Sequence, residues 1–132
     1  MPVKHPPLIT GETYHLVLRG VAEEPIFKGI DDYYRGIFSL FEFNNSKPVE
    51  INIQRRKRLL QKHKGEVFSD TRNKFLEILQ FCFMPNHFHL LVKQTTDGGI
   101  TNFMRKLGAG YAAYFNKKYQ RKGHLFQNRF YA

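Results

Sequence analysis

His87, Phe88 and His89 stand in the row Met84-Pro85-Asn86-His87-Phe88-His89-Leu90-Leu91-Val92. Alternate residues of a strand share one face, with Cα atoms about 6.5–7 Å apart. Two imidazoles so placed converge on one divalent ion, while Phe88 turns the other way into a core. The same spacing also describes two solvent-facing histidines without metal, and taken alone it does not choose. His15 falls in Thr13-Tyr14-His15-Leu16-Val17-Leu18-Arg19 and shares a face with Arg19. It either borders the site or is an ordinary sheet-surface histidine. His5, His63 and His124 read as ordinary polar residues. Among the phenols, Tyr111 and Tyr114 lie on an apolar helical stripe and read as core. Tyr119 and Tyr131 carry no such assignment.

The elements that position these groups follow from periodicity. Residues 1–12 carry three prolines and read as an extended lead-in. Thr13 to Arg19 alternates, with Tyr14, Leu16 and Leu18 on one face and His15, Val17 and Arg19 on the other, which predicts a strand. Asp31 and Asp32 are the expected cap of a helix with apolar positions Tyr34, Ile37, Phe38, Leu40 and Phe41. Asn44-Asn45-Ser46-Lys47-Pro48 closes it, and residues 49–74 are expected to be irregular and polar. Phe75–Met84 and His87–Val92 flank a tight Pro85-Asn86 turn, a hairpin. After the loop over Gln94–Gly99, residues Ile100, Phe103, Met104, Leu107, Tyr111, Tyr114 and Phe115 recur at helical spacing. Gly108 and Gly110 cost that helix about 1 kcal/mol each relative to Ala and open a close backbone approach. Leu125–Phe130 reads as a short final strand. The order predicts one α+β domain over residues 1–132: a ferredoxin-like βαββαβ fold, a four-stranded antiparallel sheet with two helices on one face.

Composition narrows the partner. Lys and Arg number 21 against 11 acids, a formal charge of +10. Such a field attracts polyanions, nucleic acid first and an anionic membrane surface second. No stretch approaches the roughly 20 apolar residues of a membrane span, and the N-terminus lacks the apolar core of a signal peptide. Cys82 is the only cysteine, so no intrachain disulfide forms, and a cytoplasmic protein is expected. A homodimer is compatible with the sequence and left open by it. The run Arg55-Arg56-Lys57-Arg58 is either a solvated helix face or a nucleic-acid contact.

The string Met84–Val92 resembles the HUH signature (histidine, hydrophobic residue, histidine) of the REP-associated tyrosine transposases and their insertion-sequence relatives. Three further blocks are similar in the same order. They are Tyr14–Gly20, the segment from Leu107-Gly108 through Tyr111-Ala112-Ala113-Tyr114-Phe115-Asn116, and Arg121–Phe130, with Phe126 where a tryptophan is usual. Residues 45–74 fall outside the likeness and look like an insertion.

The resemblance implies an endonuclease of DNA transposition acting on single-stranded or hairpin DNA. His87 and His89 would hold Mg²⁺ or Mn²⁺, a Lewis acid at the scissile phosphate. A tyrosine hydroxyl would attack phosphorus, giving a 5′-phosphotyrosine and a free 3′-OH. In the family that tyrosine lies on a helix after the last strand, with an Asn or Gln one turn later completing the metal site. Here that position falls after Ala132, so no residue of 1–132 is carried over as nucleophile, and the expectation is binding without cleavage. Phosphate contacts are assigned to Arg19, Arg105, Lys106, Lys117, Lys118, Arg121, Lys122 and Arg129, which as a set supply a basic groove. Two other classes stay open: a pure single-strand-binding module using exposed aromatics, and a metalloenzyme unrelated to nucleic acid.

Overall fold

The alternating segments pair as their periodicity dictates. The computed structural model describes residues 7–67, 69–127 and 129–132. Half of the expected lead-in, with His5, and Asn128 of the expected last strand lie outside the described residues. Strands β1 (Thr13–Arg19), β2 (Leu76–Met84) and β3 (His87–Gln94) form an antiparallel sheet in the order β1-β3-β2. β2 and β3 are joined by the Pro85-Asn86 turn, and Leu79 is the extra residue of a bulge between Ile78 and Gln80. Leu16 and Leu18 of β1 and Phe88, Leu90 and Val92 of β3 are buried on one face. His15, Val17, Arg19, His87, His89 and Leu91 take the other.

Helices α1 (Ile30–Glu42), α2 (Ile51–His63) and α3 (Gly99–Lys118) complete the fold. The α3 stripe Ile100, Phe103, Met104, Leu107, Tyr111 and Phe115 is buried over the sheet. A Cβ at Gly110 would run into the Phe43 ring, so the close approach expected there is real. At Gly108 the nearest atom is an ordinary 3.9 Å away, and the approach is not used.

Four expectations need correction. The first concerns α1, whose inward residues are Asp32, Gly36, Ser39 and Leu40, while Tyr34 and Ile37 of the expected stripe are exposed. A Cβ at Gly36 would stand 2.8 Å from Phe83 Cε2 and 3.0 Å from Phe27 Cε1, so small residues must face the core there. Phe38 and Phe41 are roofed by guanidinium groups instead. Arg55 lies 4.3 Å from the Phe38 ring centre, and Arg58 and Arg72 lie 4.5 and 3.6 Å from that of Phe41. Cation–π attraction covers a face that periodicity assigned to a core.

The second is the α1 cap. Gly29 holds the N-cap position, and Asp32 in the first turn accepts from the backbone N–H groups of Lys28 (2.9 Å) and Gly29 (3.3 Å). The third is α2, which occupies a stretch expected to be irregular. Glu50 caps it, accepting from the N–H groups of Asn52 and Ile53 at 3.1 and 2.9 Å. Gln, Arg, Lys and Leu fill it, all strong helix formers. Only Ile51 is buried, so no apolar stripe announced it.

The fourth is the last strand. The sheet has three strands and the fold three α-helices among the described residues, not the four and two expected. Among the described residues, the C-terminal segment meets the free edge of β1 through two isolated bridges, Gly20 with Phe126 and Val17 with Tyr131. A regular ladder continuing from the first would set Val17 opposite Arg129, two residues short of Tyr131. Among the described residues, no helix is long and apolar enough to cross a membrane.

Candidate functional site on the open sheet face

β3 is the central strand, and its odd-numbered residues point away from the helices. His87 pairs across the sheet with Arg19 and Met84, and His89 with Val17 and Cys82. The two imidazole Nε2 atoms lie 2.6 Å apart. Their Nδ1 atoms are both occupied. His87 Nδ1 lies 2.5 Å from Asn86 Oδ1, and Asn86 Nδ2 donates to Glu23 Oε2 at 3.0 Å. That amide orientation leaves Oδ1 as the acceptor, so His87 Nδ1 carries the proton and its Nε2 a lone pair. His89 Nδ1 lies 3.0 Å from His15 Nε2, and the two rings stack with centres 5.0 Å apart. With His89 as donor there, its Nε2 also presents a lone pair. In that tautomer the two lone pairs converge on a positive centre, a shared proton or a metal ion; with His15 as the donor, His89 Nε2–H donates to His87 Nε2 instead.

The electrostatics favour the neutral, ligating form of both rings. The His87 pKa is lowered by burial, then by the neighbouring His89 and Arg19. The His89 pKa is lowered by burial, then by His15 and Arg19. Outer partners such as Asn86 and His15 orient rings for metal binding and set their tautomers. The residues fit a divalent ion as two nitrogen ligands. No group of three or more His, Cys, Asp or Glu side chains placed to hold a metal occurs among the described residues. Ala22 and Glu23 hold φ of 54° and 59°, left-handed conformations that cost on the order of 1 kcal/mol or more each. That turn delivers the Glu23 carboxylate to Asn86.

Sequence reasoning missed Glu23 and Asn86 as supports. Asn86 was legible as the turn residue directly before His87, but Glu23 was not. Sequence reasoning read Asp32 only as a helix cap, whereas the residue is fully buried. Its carboxylate accepts from Tyr119 (2.5 Å), Tyr114 (2.8 Å) and Lys118 (2.9 Å), besides the two backbone groups. Burial alone would raise its pKa, but these bonds overcome that and hold it at about 2. Tyr111 is buried, and its hydroxyl donates to the Ile26 carbonyl. Burial first, then the Asp32 charge, drives its pKa far above the phenol range. These three phenols are committed to the helical layer. Tyr131, opposite Val17, is the tyrosine that the register sets on the histidine face, and it is half exposed.

The expected phosphate ligands are not brought together in one groove. Arg19 stands beside the histidines. Lys118 is ion-paired to Asp32, Arg105 bonds Asn102, and Lys106 bonds the carbonyls of Asn45 and Lys47. Arg121 ties Asn116, Gly123, His124 and Glu24 together. Lys117, Lys122 and Arg129 are exposed, as are His63 and His124.

Fold and site thus define a basic α+β domain whose open sheet face presents two converging imidazoles beside an arginine. The family model described as "Transposase IS200 like" matches residues 49–132, more than half of the chain, including the histidine pair. The chain belongs to the IS200-like transposase family. Among curated proteins, none matches it. Membership makes DNA transposition the family function and DNA the implied partner.

Proposed function

We propose that this chain binds single-stranded or hairpin DNA as a transposase domain of a family that cleaves and rejoins strands with a divalent metal. The observation that carries this is the pair of Nε2 atoms 2.6 Å apart, with both Nδ1 atoms engaged by Asn86 and His15. His87 and His89 would hold Mg²⁺ or Mn²⁺, which when bound supplies Lewis-acid polarisation of a phosphate oxygen. Two imidazoles suit Mn²⁺ better than Mg²⁺, whose preference is for oxygen ligands in strict octahedral geometry. Arg19, on the same face, neutralises charge on the incoming phosphate. Asn86 and His15 keep each ring's N–H turned outward, so that neither ligand nitrogen is lost to the wrong tautomer. A tyrosine hydroxyl forms the new bond to phosphorus and displaces the 3′ oxygen. The phenols of Tyr111, Tyr114 and Tyr119 are not its source, because each is hydrogen-bonded within the helical layer.

The test is a labelled hairpin substrate with Mn²⁺, resolved on a denaturing gel, alongside Mn²⁺ titration of the protein without DNA. Metal binding lost in both His87→Ala and His89→Ala, with single-strand binding retained, is the expected result. A covalent protein–DNA band that survives Tyr131→Phe but vanishes in Tyr114→Phe would overturn the exclusion of the helical tyrosines. A second reading, a module that binds single strands without cutting, is favoured by the absence of a third His, Cys, Asp or Glu ligand beside the pair among the described residues. It predicts DNA binding indifferent to Mn²⁺ and to both histidine substitutions.

A further inference from the structure

The basic run Arg55-Arg56-Lys57-Arg58 lies on α2, away from the histidine face. At 100° per residue, Ile51, Arg55 and Arg58 turn toward α1, and the structure gives each an inward role. Ile51 is buried, Arg55 covers Phe38, and Arg58 pairs with Glu42 at 2.6 Å. The opposite side presents Ile53, Arg56, Lys57 and Leu60, with Lys64 one position past the helix, all exposed. The helix itself contains no acid, and the ion pairs among the described residues include none of Arg56, Lys57 or Lys64. This face thus carries three exposed cations and no acid of the helix, and is complementary to a polyanion that runs along it. It carries no Phe, Tyr or Trp on which a base could stack, which directs the contact to phosphates.

We infer that the outer face of α2, through Arg56, Lys57 and Lys64, is a second DNA contact that binds the sugar–phosphate backbone without reading sequence. It rests on the DNA reading above and adds a surface to it. α2 packs on α1, which lies behind the sheet, so the histidine face and α2 are separated by roughly 20 Å, a sheet-to-helix layer plus a helix-to-helix layer. Bound DNA engages both surfaces only when it extends well past the cleavage position.

The experiment compares wild type with the Arg56→Gln/Lys57→Gln/Lys64→Gln variant, using an oligonucleotide of about eight nucleotides and one of about thirty at several salt concentrations. Each single-strand phosphate contact contributes about 0.7 to the slope of log K against log salt. The variant should lower the long-substrate slope by about 2, leave the short substrate within twofold, and respond alike to scrambled flanking bases. Its unfolding midpoint should match wild type, since all three side chains are exposed; Lys57→Glu alone should weaken long-substrate binding further than Lys57→Gln. Arg19→Gln should weaken both lengths. An unchanged long-substrate slope in the triple variant, while wild type binds, overturns the α2 contact and leaves the DNA reading standing. Loss of binding only to phosphatidylserine vesicles, with DNA unaffected, also overturns it. Failure of wild type to bind either oligonucleotide overturns both.

Discussion

In the proposed site His87 and His89 depend on residues that would not touch the ion. Asn86 turns one ring through an oxygen 2.5 Å from Nδ1, and Glu23 fixes which end of the Asn86 amide faces it. Asn86→Ala should therefore weaken Mn²⁺ binding about 10- to 100-fold, as losing an outer partner does. Isothermal titration would show it, and affinity unchanged within twofold would refute the role. Asp32 is the counterpart in the helical layer, a buried carboxylate saturated by donors from α3 and from its own helix start. Its folded pKa of about 2 lies below the ordinary 3.8, so its stabilisation is complete above about pH 4 and is lost as pH falls through 2. The shift corresponds to roughly 2 kcal/mol. Urea unfolding at pH 6 and pH 2.5 should show that loss in wild type and not in Asp32→Asn, which should already be less stable at pH 6.

At the scale of elements, α1 is held by contacts that its hydrophobic pattern does not describe. Its core side is closed by Gly36 against the Phe27 and Phe83 rings, which stack with centres 5.1 Å apart and have no room to yield. Gly36→Val should destabilise the protein by about 2 kcal/mol through overpacking. Gly108→Ala in α3 meets nothing closer than 3.9 Å and should stabilise by roughly 0.5–1 kcal/mol. Chemical denaturation of the two variants checks both signs. Two changes in the same direction would show that the helix packing is not as described. α2, with one buried residue, depends on its cap and its arginine–phenylalanine contacts, and should lose amide protection before α1 and α3.

The whole molecule is organised as a positive body with its chemistry on one face. A formal charge of +10 predicts DNA binding that weakens steeply with salt and is tighter for single strands or hairpins than for blunt duplex. Fluorescence anisotropy from 50 to 200 mM salt checks this, and a flat response would remove the electrostatic basis. The cations are not pooled: Lys118, Arg121 and Arg58 are drawn into ion pairs with Asp32, Glu24 and Glu42. Arg19, Lys117, Lys122, Arg56, Lys57 and Lys64 are among the cations outside these ion pairs. Lys118→Gln should accordingly cost stability more than DNA affinity.

Period-two alternation in Thr13–Arg19 and His87–Val92, together with the helical stripe from Ile100 to Phe115, was enough to determine three elements and the face on which His15, Arg19, His87 and His89 gather. Local sequence suffices there because one side of each element is uniformly apolar and burial leaves a single orientation. Only the tertiary structure decided that Tyr34 and Ile37 face outward, that α2 exists, and that Phe126 and Tyr131 meet β1 through isolated bridges in different registers. Each of these depends on partners distant in the chain: rings that only a glycine can approach, guanidinium groups laid over Phe38 and Phe41, and a two-residue mismatch against β1. The same holds for Asp32, whose burial becomes favourable only when Tyr114, Lys118 and Tyr119 arrive from a helix more than eighty residues away.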